Sequence, residues 1–269
     1  MSRLKISVLM AAVLVPAAGC RKGIDDQGQI GAAVGEVMAS ADDAANGPTP
    51  SATLSATAQK AACYPFTFSA CTGGVRTETL AACTFGPATI DGSVTLTFSD
   101  TGGCSLAATG ASVNRTAEFT VTGPYGGTLT VTSPGGGQIL TRTASGFEFA
   151  VPGMERVLKG PRGNSLFDIG TQTTTPLSIT GTSRNDFAIA AGTLLVSHRL
   201  AGYSVALTPE DLTWKPTCNC AVAGKLTGKV SGGHADGKSA TVTLTGCGTA
   251  DVDIDGDLES VTLDRCAAI

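Results

Sequence analysis

The sequence predicts an all-β protein, an antiparallel meander forming a sandwich or an open barrel, braced by disulfides and preceded by a flexible tether. Three observations carry that expectation. From Cys63 onward apolar residues alternate with polar or small ones, the period of half-buried strands. The chain holds 35 glycines in 269 residues, many of them in clusters that punctuate the alternating runs. Nine cysteines are present, and all but Cys20 fall into two groups of four, as expected of oxidative export.

In chain order, residues 20–60 are dominated by Ala, Gly, Asp, Ser, Thr and Pro and close on Asn46-Gly47-Pro48-Thr49-Pro50, the composition of a flexible tether. Ile30, Val34 and Met38 recur at i and i+4, so a short helix from Ile30 to Ala45 is allowed there, although it would be marginal alone. From residue 61 to 269 the strand pattern takes over, with Phe66 and Phe68, then Val94, Leu96 and Phe98, then Phe119 and Val121, Leu129 and Val131. It continues through Phe147, Phe149 and Val151, Leu177 and Ile179, Phe187 and Ile189, Val205 and Leu207, and Val242 and Leu244. The turns are read at Gly73-Gly74, Asp91-Gly92, Gly102-Gly103, Gly126-Gly127, Gly135-Gly136-Gly137 and Gly232-Gly233. Thr208-Pro209-Glu210-Asp211 fits a capped helical turn or a loop between strands. Residues 153–164 are a candidate break between two subdomains.

The last hairpin can be registered from symmetry about its turn. A type II′ turn centred on Gly256-Asp257 sets Val252 opposite Val261 and Cys247 opposite Cys266; a turn near Gly233-His234 sets Cys220 opposite Cys247. Cys218, Cys220, Cys247 and Cys266 are therefore expected to form two bridges among themselves, with Cys220 to Cys247 and Cys247 to Cys266 both open. Cys63, Cys71, Cys83 and Cys104 make up the other group. Cysteine pairs of this kind could also hold a metal, but zinc motifs use CxxC spacings and histidines, and only His198 and His234 occur.

The beginning of the chain has a different character. Arg3 and Lys5 precede an apolar run from Ile6 to Ala18, too short to span a bilayer and closed by Ala18-Gly19-Cys20. Small residues directly before a cysteine resemble the lipobox of bacterial lipoproteins, with Ala17 standing where Leu is usual. The resemblance implies that residues 1–19 are a signal peptide, that the Cys20 thiol receives diacylglycerol, and that the new amino terminus is acylated. It implies a lipid-anchored envelope protein whose membrane partner is met through those acyl chains. Arg21 differs from the Asp that retains enteric lipoproteins in the inner membrane, which points to the outer membrane.

Charge removes other classes. The chain carries 18 basic and 22 acidic residues, and without Arg3 and Lys5 the mature form has 16 against 22. That is no footprint for nucleic acid. Asp251, Asp253, Asp255 and Gly256 open like an EF-hand calcium loop, but Thr262 stands where the bidentate Glu belongs, so a solvent-facing hairpin is the stronger expectation. No G-x-S-x-G occurs, His234 with Asp236 reads as turn chemistry, and Glu118, Glu148, Asp168 and Glu210 have no pattern that pairs them. No cofactor is expected. The sequence thus points to a non-catalytic structural or surface-recognition domain, with Tyr125, Tyr203 and Trp214 as candidate contact residues. Its rivals are a carrier of a lipid or other apolar ligand, which needs a large apolar cavity, and a hydrolase with a loop-assembled site.

Overall fold

A computed structural model describes residues 26–46, 68–85, 87–263, 266 and 268. Twelve strands pair in strict sequence order into one antiparallel sheet that does not close on itself. They are β1 (Val75–Phe85), β2 (Ala88–Phe98), β3 (Ser112–Thr122), β4 (Thr128–Arg142), β5 (Gly146–Lys159), β6 (Ser165–Thr180), β7 (Ala188–His198), β8 (Tyr203–Trp214), β9 (Ala221–Gly232), β10 (Ser239–Gly246), β11 (Thr249–Ile254) and β12 (Asp257–Thr262). The all-β fold class expected from the alternating pattern is correct. Residues 153–164 do not divide it: Leu158 pairs with Phe167 and Lys159 with Ser165 across that hairpin, so the sheet runs on without a boundary.

The stretch read as a tether is the main departure. Asp26–Asn46 form a 21-residue helix, α1. From Ile30 to Asp42 every residue is buried, whichever way its side chain points. A helix buried all round must be enclosed. One sheet achieves this only by curling around it, and the contacts confirm that: Val34, Val37, Met38 and Ala41 face β6–β9, Glu36 lies by Arg115 of β3, and Gly31 abuts Val261 and Leu263. The small residues Gly31, Ala32, Ala33, Gly35, Ala39 and Ala41, which looked like linker composition, keep the helix thin enough to fit inside.

The strands reach 16 residues and are bent mid-length by a line of bulges that crosses the sheet. The register breaks between Leu80 and Cys83, Arg115 and Phe119, Thr132 and Gly137, Phe149 and Met154, Thr175 and Ser178, and Glu210 and Thr213. Bulges add local twist and curvature, which is what wrapping a helix requires. Two glycine sites read as turns belong to this line instead. Gly92 lies inside β2 with φ 137°, where a Cβ would sit 2.2 Å from the Glu118 carbonyl oxygen; Gly137 lies inside β4, where a Cβ would sit 2.2 Å from that of Arg115. Thr208-Pro209-Glu210-Asp211 likewise belongs to β8, with Asp211 at φ 53° supplying the bulge.

The final hairpin turns one residue earlier than symmetry suggested. Asp255 and Gly256 both have positive φ, the signature of a type I′ turn, and Val252 pairs with Glu259 rather than Val261. That slip removes Cys266 from opposite Cys247. Both bridges stay within their group but in neither of the pairings drawn from register: Cys218 joins Cys247, and Cys220 joins Cys266. Cys71 joins Cys104, and Cys83 is also disulfide-bonded. Cys20 and Cys63 lie outside the described residues.

Candidate functional site

Among the described residues, polar side chains of α1 are buried against the sheet where an apolar core would have been simpler. Between α1 and the β1–β4 side, Arg115 donates from Nη1 to Gln138 Oε1 at 2.7 Å and lies 3.8 Å from Glu36 Oε1. Glu36 Oε1 also accepts from the Ser40 hydroxyl at 3.3 Å, so helix and sheet are joined through one carboxylate. Alternation in β1 turns Glu78 inward, where it is 2% exposed and neither carboxylate oxygen has a hydrogen-bond partner among the described residues. Burial pushes its carboxyl up to about 7, and the Arg115 charge offsets only part of the effect. Further along α1, Asp42 is fully buried and accepts from Arg184 Nε and Nη2 at 2.7 and 2.5 Å. The alternating pattern held the signal for Glu78 and Arg115, but nothing local marked either as inward-facing among so many outward charges.

Apart from those contacts the sheet interior is packed. The gap left between Val34, Val37 and Met38 of α1 and Leu177, Leu194 and Leu212 is only about 10 Å³, lined by apolar side chains. That is water-sized at most. The large apolar cavity that a carrier requires is occupied by α1.

The histidines do not sit in a cleft. His198 is buried at the end of β7, its ring 5.5 Å from that of Tyr203, and its Nδ1 accepts from the Ala201 amide at 3.1 Å. His234 is exposed in the 3-10 turn Gly233–Ala235, while Asp236 accepts from the Gly232 amide at 2.7 Å and so serves the turn. Glu118 and Glu148 are exposed on separate strands; Asp168 meets Glu155 on Arg199, and Glu210 binds Thr227 and Lys225. Of the aromatic contact candidates, Tyr203 and Trp214 are buried, Trp214 stacking edge-on against Phe187. Tyr125 alone of the three is on the surface, at 85% exposure.

In the acidic hairpin Asp251 accepts from the Ser260 hydroxyl at 2.5 Å, Asp253 accepts from the Gly256 amide at 2.7 Å, and Asp255 lies 3.8 Å from Lys238 Nζ. These carboxylates are spent on the turn. Among the described residues no three His, Cys, Asp or Glu side chains are grouped to hold a metal.

No helix among the described residues is long and apolar enough to cross a membrane. What the geometry defines is a disulfide-braced, open β-meander curled around its own amino-terminal helix. No family model, curated protein or solved structure matches the chain.

Proposed function

We propose that this is a bacterial envelope lipoprotein, anchored by acyl chains on Cys20, whose β domain is non-catalytic and acts through its outer surface as a structural or surface-recognition element. The observation that carries the reading is the run Ala18-Gly19-Cys20 behind a charged, then apolar, leader. The disulfides are consistent with an oxidising compartment. Packing supports the outer surface as the working part, because α1 already fills the concave face. Each buried methylene of the acyl chains adds about 0.8 kcal/mol to membrane binding, so two or three chains make the anchor durable. Metabolic labelling with palmitate tests the anchor: wild type should take label and partition into detergent, and Cys20→Ser should do neither. Equal behaviour of the two would refute it.

A second reading, a carrier of an apolar ligand, would require α1 to leave its place against the sheet. The apolar stripe of α1, Val34, Val37 and Met38, lies on Leu177, Leu194 and Leu212 where an acyl chain would lie if the helix left. Native mass spectrometry of the purified protein should then find a co-purified lipid; protein mass alone leaves the first reading standing.

A further inference from the structure

We infer that the end of the curled sheet at which α1 begins is a membrane-docking face, on which Tyr125, Leu200 and Leu258 enter the lipid surface; this rests on the proposed anchor at Cys20. Strictly alternating hairpins sort the connections between two ends. Those after β3, β5, β7, β9 and β11 share one end, and those after β4, β6, β8 and β10 share the other. Two contacts orient α1 between them. Gln27 Nε2 donates to the Asp257 carboxylate at 3.4 Å, beside the turn after β11, whereas Asp42 pairs with Arg184 in the connection after β6.

Covalent geometry then limits how far the first end can stand from the bilayer. Six Cα steps separate Cys20 from Asp26, which span at most roughly 22 Å however they are arranged. The helix itself is about 31 Å long, so the end where it finishes can stand well clear of the lipid.

The distribution of exposed side chains gives the same orientation independently. Among the described residues four large hydrophobic side chains are exposed: Tyr125 at 85%, Leu258 at 62%, Leu200 at 52% and Val75 at 37%. Tyr125 lies in the turn after β3, Leu200 in the turn after β7 and Leu258 just beyond the turn after β11, all at the end where α1 begins. Only Val75, at the start of β1, is at the other. That other end instead carries the Cys71–Cys104 and Cys218–Cys247 bridges and the Phe147, Phe187 and Trp214 stack. Charges at the docking end are mixed: Lys159 and Arg162 are exposed, Lys238 faces Asp255, and Arg199 is held by Glu155 and Asp168. With no dominant sign, apolar insertion rather than attraction to anionic lipid fixes the pose, and a tyrosine suits the headgroup boundary.

The test uses the full-length acylated protein in phosphatidylethanolamine–phosphatidylglycerol vesicles containing brominated acyl chains, which quench nearby tryptophan. Tyr125→Trp, Leu200→Trp and Leu258→Trp should each lose fluorescence, and Ala144→Trp, in the turn after β4, should keep it. Equal quenching at all four positions, quenching only at Ala144→Trp, or a stable dimer that shields the three tips from lipid would overturn the inference. The mass of the amino-terminal peptide is measured on the same preparation. An acylated Cys20 with unquenched tips refutes the docking face alone, whereas an unmodified Cys20 refutes the anchor and the docking face together.

Discussion

Glu78→Gln is expected to stabilise the protein, and to do so only where the carboxyl would be ionised. Glu78 sits inside the sheet with its carboxyl titrating near 7, against 4.5 for an ordinary glutamate, because burial penalises its charge more than Arg115 favours it. Between those two pH values the folded chain holds a proton that the unfolded chain has released. Stability therefore falls as pH rises from about 4.5 to about 7 and is flat with respect to this group on either side. Above pH 7 the full cost is about 3 kcal/mol, from 1.36 kcal/mol for each pH unit between the two values. Glutamine has the shape of the protonated acid and cannot ionise. Urea unfolding of wild type and Glu78→Gln at pH 4 and pH 8 should give near-equal stabilities at the acid end and a gain of about 2 to 3 kcal/mol for the variant at the alkaline end. In a thermal melt at pH 8 that corresponds to a rise of roughly 4 to 12 °C for a domain of this size. A variant that differs from wild type by the same amount at both pH values, or that is less stable at pH 8, would refute the placement of an ionisable, unpartnered carboxyl in the core.

Three further outcomes follow from the enclosed helix and its fastenings. Gly31→Ala gains about 1 kcal/mol of helix propensity, but its Cβ would lie 2.6 Å from Val261 Cγ2, so a net loss of about 1 to 2 kcal/mol is expected in chemical denaturation, recovered in part by adding Val261→Ala. Arg184→Ala leaves the Asp42 carboxylate buried without its guanidinium partner and should cost about 3 kcal/mol or more, again read by denaturation; a loss below about 0.5 kcal/mol would place Asp42 in water. Cys266→Ser opens the bridge that spans 46 residues and should lower stability by about 4 kcal/mol under non-reducing conditions, with a further loss in reductant as the Cys71–Cys104 and Cys218–Cys247 bridges open.

The legible and illegible parts of this chain divide on a physical line. Alternation revealed the strands because each has one face toward the helix and one toward water, as Val94, Leu96, Val205, Leu207, Val242 and Leu244 show by their burial. It could not reveal the bulges, since Gly92 and Gly137 carry the same signal whether the chain reverses or merely bends; only the backbone that each approaches decides. The disulfide pairing failed for a related reason. A type I′ turn at Asp255-Gly256 in place of a type II′ turn at Gly256-Asp257 moves every cross-strand partner, and the pairing of thiols moves with it.

The spacing of Ile30, Val34 and Met38 allowed a short helix from Ile30 to Ala45, but its enclosure by the sheet was not legible, for a reason that also bears on how the domain would meet an anchor. A surface helix announces itself by a polar face opposite an apolar one; α1 lacks that contrast, because Val34 and Val37 meet one part of the sheet, Gly31 and Gly35 another, and Glu36 a buried arginine. The carbonyl of Gly35 lies 3.9 and 3.7 Å from the sulfurs of Cys220 and Cys266, a packing contact, since a disulfide sulfur has no proton to donate. Composition that resembles a linker is thus what an enclosed helix needs, with small residues wherever the wall is near. The consequence is a short connection to the proposed anchor. A forty-residue tether would leave the domain free to tumble above the bilayer, whereas locking Asp26–Asn46 inside the sheet leaves only residues 21–25 between Cys20 and a rigid body. Burying the helix supplies the core that a single open sheet lacks and, with the anchor proposed at Cys20, would also set which end of that sheet faces a membrane.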